Sequence, residues 1–216
     1  MIIQSVNISK PVNIQWRGKT VQTGIYKFPV EQAVRLEKTD VQGDHVIDRK
    51  YHGGIDKACY VFSADHYEEW KKLYPKLDWT FGMFGENLTI SGLNEKDFLI
   101  GDILRIGGAT VQISQPRQPC FKLGIRFGTQ TVLKKFIQKK QPGIYLRILE
   151  EDLVKKGDQM DLIERPHNSI KISEVWELLY GENPDRELLD FALSMPLLSE
   201  GCKNSLRQVK KSKFNS

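Results

Sequence analysis

The chain has 216 residues, 40% hydrophobic and 27% charged, which suffices for one main domain with a substantial core and a small appended unit. No run approaches the roughly 20 apolar residues of a membrane span, and three widely spaced cysteines suit a reducing cytoplasm better than a disulfide framework. The net charge of +5 is confined to one end: Lys203, Arg207, Lys210, Lys211 and Lys213 have no acid among them after position 202, and the remainder is formally neutral, with 27 basic against 27 acidic residues. The body therefore carries no basic excess for nucleic acid, and the basic end is read as a solvated tail.

The opening run, Met1 to Ile8, lacks the basic start and long apolar region of a signal peptide and is read as a strand. Short β-branched or aromatic runs at 2–8, 12–16, 20–23, 33–37 and 58–62 read as further strands, with Arg17-Gly18-Lys19 as a hairpin turn and 27–30 opening another segment. From Asp65 the period changes. Tyr67, Trp70 and Tyr74 recur at helical spacing as far as Pro75, Asp65 stands in a capping position, and the aromatic stripe is read as core.

Strands resume at 87–90, 103–106, 109–114, 143–150 and 160–164. Gly101-Asp102 and Gly157-Asp158 each make a tight turn that launches a strand, so both aspartates are read as turn formers rather than catalysts. After Arg165-Pro166, Ser173 can cap one helix. Asn183-Pro184 supplies a cap and first-turn proline for a second through Met195, and a third runs from Leu198 toward Lys211 with Cys202 as a structural residue. The pattern predicts a mostly β, α+β chain. A mixed β-barrel with small helical insertions occupies residues 1–165, and a three-helix unit with a basic tail occupies 166–216.

Three stretches carry chemistry. In Ser114-Gln-Pro-Arg-Gln-Pro-Cys-Phe-Lys-Leu123, Pro116 and Pro119 stiffen the seam between a strand and a helix starting at Phe121. Cys120 stands there between Arg117 and Lys122, in a field that favours thiolate, the form that attacks and that binds metals; a buried structural cysteine is the alternative. In Asp48 to Ala58, Gly53 and Gly54 let backbone approach a ligand and can form an anion-binding nest. Lys57 and Arg49 add positive charge and His52 can donate or transfer a proton; a plain Gly-Gly turn is the alternative. In Phe81 to Thr89, glycines alternate with aromatics in a tightly packed loop, and Glu86 and Asn87 offer paired donors and acceptors for a heterocycle. No Gly-x-Gly-x-x-Gly, Walker A, Gly-x-Ser-x-Gly or Cys-x-x-Cys is present, so dinucleotide-binding and hydrolase readings have no support. A zinc site from His45, His52, Cys59 and Cys120 lacks recognised ligand spacing.

Four blocks occur in order: Thr23-Gly-Ile-Tyr-Lys27 with Pro29-Val30, Asp48 to Lys57 with its His-Gly-Gly-x-Asp-Lys core, Phe84-Gly-Glu-Asn-Leu-Thr89, and Ser114 to Leu123. Together they resemble the MOSC domain family, relatives of the C-terminal domain of molybdenum cofactor sulfurases, and within it the bacterial YiiM-like branch. The resemblance spans nearly the whole chain, because that branch also carries a C-terminal three-helix unit; Cys59 and the basic end lie outside the blocks. It implies a β-barrel that binds molybdenum cofactor, a pterin dithiolene with a phosphate, with Cys120 as the protein ligand to molybdenum, a role suited to soft thiolate. It implies reduction of N-hydroxylated compounds, including base analogues such as 6-hydroxylaminopurine, with electrons from a separate flavoprotein reductase. Two electrons and two protons would be consumed and water released.

On this reading Lys57 and Arg117, with Lys27 or Arg49, meet the phosphate. Gly53, Gly54, Glu86 and Asn87 meet the pterin, Asp56 belongs to the same cofactor-binding set, and His52, counted with Cys120 as catalytic, is a supporting hydrogen-bond donor or a proton source for N–O cleavage. The alternative is a sulfur carrier holding a persulfide on Cys120. The helical unit can serve a homodimer contact, and neither a membrane nor nucleic acid is expected as a partner.

Overall fold

A computed structural model describes residues 1–47 and 53–214. Period-two runs become strands β1 (Ile2–Ser9), β2 (Val12–Trp16), β3 (Lys19–Thr23), β4 (Lys27–Val30), β5 (Val34–Leu36) and β6 (Cys59–Ser63). Helix α1 (Tyr67–Leu73) follows, then β7 (Leu88–Ser91), β8 (Ile103–Ile106) and β9 (Ala109–Pro116). Next come α2 (Phe121–Arg126), α3 (Thr131–Lys139), β10 (Ile144–Glu150), β11 (Asp152–Val154) and β12 (Met160–Glu164), and the chain closes on α4 (Ile172–Tyr180), α5 (Arg186–Ser194) and α6 (Glu200–Phe214).

Eight strands form one sheet in the order β12-β8-β9-β10-β6-β7-β1-β4, antiparallel throughout except for the parallel β6–β7 pair. β2–β3 and β5–β11 are separate two-stranded ribbons. The sheet curls until the start of β1 meets the foot of β12 at a single bridge, Ile2 to Gln159, flanked by Ile3 N–H to Asp158 O (2.9 Å) and Met160 N–H to Met1 O (3.0 Å). The expected barrel is thus a curled sheet stitched at one point, without a continuous closing ladder among the described residues. The reason lies in β1. From Val6 onward it is held by β4 on one edge, and β7 holds the other from Ile2 to Val6, so only its first residues can reach β12.

One hydrophobic core joins the inner faces of the strands (Val6, Leu88, Val111, Leu146) to the C-terminal helices (Val175, Leu189, Leu206). The core therefore runs across the Arg165-Pro166 boundary. A second, aromatic cluster on the other side of the sheet contains Phe62, Trp70, Phe84, Phe127, Phe136 and Trp176. Phe62 and Phe84 stack with centroids 4.1 Å apart, and burying rings of this size contributes about 1.5–3 kcal/mol each. Tyr67 and Trp70 belong to this cluster, as the helical stripe implied. Helix α3, which the sequence reading did not identify, adds Val132 and Phe136 to it.

Both Gly-Asp aspartates are turn formers: Asp102 accepts from Leu99 N–H and Asp158 from Lys155 N–H, each at 2.9 Å. Three caps differ from expectation. Asp65 lies inside a short 3-10 turn and accepts from Gly92 N–H at 2.8 Å instead of capping α1. α4 begins at Ile172, ahead of Ser173, because the Glu174 carboxylate reaches back to Lys171 N–H at 2.8 Å. α5 is capped by Asp185, whose carboxylate accepts from Leu188 N–H at 2.8 Å, so Asn183-Pro184 precedes the cap. The basic end is the body of α6, where Arg207 pairs with Glu200 and Lys210 with Asp190. Among the described residues no helix is long and apolar enough to cross a membrane.

Candidate functional site

Strand pairing builds the site. β6, β10 and β9 lie side by side with Tyr60 opposite Tyr145 and Tyr145 opposite Gln115, so the start of β6, the start of β10 and the end of β9 share one edge. The Tyr60 and Tyr145 rings are 5.2 Å apart. Pro116 is the last paired residue of β9, opposite Ile144; Arg117 N–H then reaches Gly143 O at 3.5 Å and the chain leaves the sheet. Cys120 follows in extended conformation (φ −128°, ψ 167°) and its carbonyl receives Leu123 N–H at the opening of α2. Its thiol is half-buried on the wall of a cleft, whereas Cys59 and Cys202 are fully buried. Arg117, Lys122, Lys57, Asn87 and Tyr145 line the same cleft.

Arg117 is only 5% exposed. Its guanidinium lies between the Tyr60 ring (5.4 Å) and the Phe136 ring (5.1 Å), and no carboxylate pairs with it among the described residues. One terminal nitrogen, Nη1, is buried without a hydrogen-bond partner among the described residues. A buried orphan donor costs roughly 1–3 kcal/mol, more when charged, so it marks a place where an acceptor is missing. The Tyr145 phenol stands on the same cleft. Burial pushes that phenol up to about 12 against the pull of Arg117, so it stays protonated at neutral pH. Burial lowers Lys57, offset in part by Cys202 and Asp56.

Lys27 and Asp44, which line the same cleft, form a buried ion pair, with side chains 8% and 2% exposed. Asp44 also accepts from Ser9 N–H (2.8 Å), Ser9 Oγ (2.7 Å) and Asn87 Nδ2 (2.9 Å). Burial alone would raise the Asp44 carboxyl, but Lys27 and these donors hold it below its ordinary range. Gly24 is required at this corner: a Cβ there would stand 2.0 Å from His45 O.

Comparison with known proteins places this architecture. The family model described as MOSC domain matches residues 48–161, and the uncharacterised protein YflK of Bacillus subtilis (strain 168) is 36% identical over 208 residues, covering 96% of this chain and 94% of its own. The chain belongs to the MOSC domain family. Its YiiM-like branch is evident in the fold: the crystal structure of YiiM from Geobacillus stearothermophilus superposes with a TM-score of 0.79 at 31% identity, over 96% of this chain and 98% of that one. A protein named "Reductase" from Gibberella moniliformis (strain M3125 / FGSC 7600) is 31% identical over 183 residues, which cover 83% of this chain but 32% of that longer protein.

The MOSC blocks converge unevenly. Cys120, Arg117, Lys57, Gly53, Asn87 and Lys27 all reach the cleft. Lys27, however, is committed to Asp44, and the Asn87 amide is divided between Asp44 and the N–H of Tyr60. Three nominated residues stand off the cleft wall. Asp56 accepts from Arg147 Nε at 2.6 Å, and Gly54 N–H is tied to Thr39 O at 3.2 Å. Glu86 is wholly buried and gathers Gly82 N–H, Phe84 N–H, the Thr89 hydroxyl and the Tyr67 hydroxyl, so it folds the loop that presents Asn87. His52 and Arg49 lie outside the described residues. Sequence reasoning missed Asp44, Tyr60 and Tyr145; only the strand register could have paired the two tyrosines. Among the described residues no group of three or more His, Cys, Asp and Glu is placed to hold a metal ion, which leaves the Cys120 thiol as the soft donor on the cleft.

Proposed function

We propose that this MOSC protein is a molybdenum-cofactor-dependent reductase of N-hydroxylated compounds, acting in the cytoplasm, with Cys120 as the protein ligand to the metal. The observation that carries the reading is the pairing, on one cleft, of a half-buried thiol with a buried guanidinium whose Nη1 has no acceptor among the described residues. A thiolate-rich metal centre joined to a phosphate-bearing pterin asks for a soft donor at one point and anion donors at another, and the residues present fit that demand. Cys120 would hold the metal, and Arg117, Lys57 and the backbone at Gly53 would hold the anionic part. The fungal relative named as a reductase supports the enzymatic half of the reading.

When bound, the cofactor supplies the two electrons that conversion of a hydroxylamine to an amine consumes. The chain supplies orientation and field. Arg117, packed against the Tyr60 and Phe136 rings, presents its charge at the cleft from a buried position. The apolar surfaces of Ile25 and Phe84 on the cleft limit water and keep that charge effective. The Tyr145 hydroxyl holds a proton on the wall beside Cys120. The electron donor would be a separate flavoprotein, since the chain has no nucleotide-binding fingerprint of its own.

The test is metal analysis and reduction of 6-hydroxylaminopurine with an artificial electron donor, on protein expressed with an active cofactor pathway. Wild type should carry near-stoichiometric molybdenum and turn over; Cys120→Ala should lose both. Wild-type protein without molybdenum, from cells in which a second molybdenum enzyme loads normally, would overturn the reading.

A further inference from the structure

The connection that carries Cys120 has little backbone anchorage of its own. Pro116 and Pro119 have no N–H to give, and the Arg117 N–H contact to Gly143 O is long at 3.5 Å. Side-chain hydrogen bonds reach this connection from α6 and from Ser199, the residue just before that helix. The Ser199 hydroxyl donates to Gln115 Oε1, Gln115 Nε2 donates to Pro116 O at 3.1 Å, and the Ser199 oxygen also receives Cys202 N–H at 3.1 Å. Within α6, the Ser205 hydroxyl donates to Gln118 Oε1 at 3.1 Å, two residues before Cys120.

The same segment also holds the Lys57 turn. Leu197 O receives Arg147 Nη1 at 2.7 Å, and the same guanidinium grips Asp56 through Nε at 2.6 Å, next to Lys57. The Asp56 carbonyl receives the Ser114 hydroxyl at 2.5 Å. A Cβ on Gly201 would lie 3.6 Å from Lys57 Nζ, so α6 approaches that side chain closely. Residues 197–205 thus touch both the Cys120 connection and the Lys57 turn, although none of them lines the cleft and all lie beyond the 48–161 segment that defines the family match.

We propose that Ser199 and Ser205 are positioning residues: through Gln115 and Gln118 they set the placement of the Cys120 sulfur, making α6 a working part of the site. The proposal rests on the reading of Cys120 as the ligand, and its test separates the two. Metal-free, full-length protein is labelled at fixed pH with a bulky maleimide, which Cys59 and Cys202 are too buried to meet. Ser199→Ala and Ser205→Ala should each speed labelling of Cys120 about fivefold, the equivalent of one lost hydrogen bond. Ser205→Thr, which keeps the hydroxyl, should restore the wild-type rate, and Gln118→Leu should reproduce the Ser205→Ala effect from the other partner. Molybdenum retained through dialysis should fall in the alanine variants as labelling rises. Labelling within about twofold of wild type in both alanine variants, with melting temperatures unchanged, overturns the proposal. Faster labelling in variants of a protein that takes up no molybdenum keeps the positioning role and removes the reductase reading. Normal labelling in variants of a protein that loads normally removes the positioning role alone.

Discussion

At Arg117 burial and function oppose each other. A guanidinium that is 5% exposed, packed against two rings and paired with no carboxylate among the described residues, is costly to bury. Arg117→Met should therefore leave the metal-free protein within about 1 kcal/mol of wild type, or more stable, while reducing molybdenum retention about tenfold or more through loss of charge-assisted bonds; thermal melts and metal analysis check the two halves. Arg117→Lys should not rescue retention, because an ammonium has no planar face to lie between Tyr60 and Phe136. At Asp44 the balance is reversed, since its partner Lys27 is buried with it. Asp44→Asn should destabilise by about 3–5 kcal/mol at neutral pH by stranding the ammonium, read from urea midpoints. The folded Asp44 carboxyl lies below its ordinary value of 3.8. Its contribution is thus full above that value and lost as the pH falls through the depressed folded one. The acid limb of stability against pH should be shallower in Asp44→Asn than in wild type.

Among the elements, the 81–89 loop shows how a nominated ligand becomes a structural one. Gly82 has φ +87°, and a Cβ there would stand 2.6 Å from Lys27 O, so the turn admits only glycine. It carries the chain into a knot of donors around Glu86. Glu86→Ala would leave buried N–H groups of Gly82 and Phe84 and two hydroxyls unsatisfied. The expected loss is about 3 kcal/mol or more in a urea titration. The 131–139 segment teaches a different lesson. Val132, Leu133, Phe136 and Ile137 recur at helical spacing, so α3 was legible by period. Gln130 supplies no side-chain cap bond to announce where the helix starts.

For the whole molecule, the continuity of the core decides how far the C-terminal helices are separable. Val175, Leu178, Leu189 and Leu206 share one cluster with Val111 and Leu146. Removing residues 166–216 would bare that face and take away the hydrogen bonds of Ser199 and Ser205 to the Cys120 connection. A chain ending at residue 165 should therefore give no cooperative melt by circular dichroism; a cooperative transition near the wild-type temperature would show the first 165 residues to be self-sufficient.

By itself the sequence determined what short windows can encode: most strands and the launching Gly-Asp turns, the three C-terminal helices, the family, and Cys120 with its two prolines. Those signals are local, resting on period, turn chemistry or a contiguous block. Only the tertiary structure decided which nominated residues meet. Register across β6, β10 and β9 set Tyr60 against Tyr145, and Asp44 found Lys27 and Asn87 across 17 and 43 positions. Glu86 and Asp56 were drawn off the cleft by donors that no local pattern records. A carboxylate goes to the buried donors that need it most, and which donors those are is settled by packing between segments far apart in the chain.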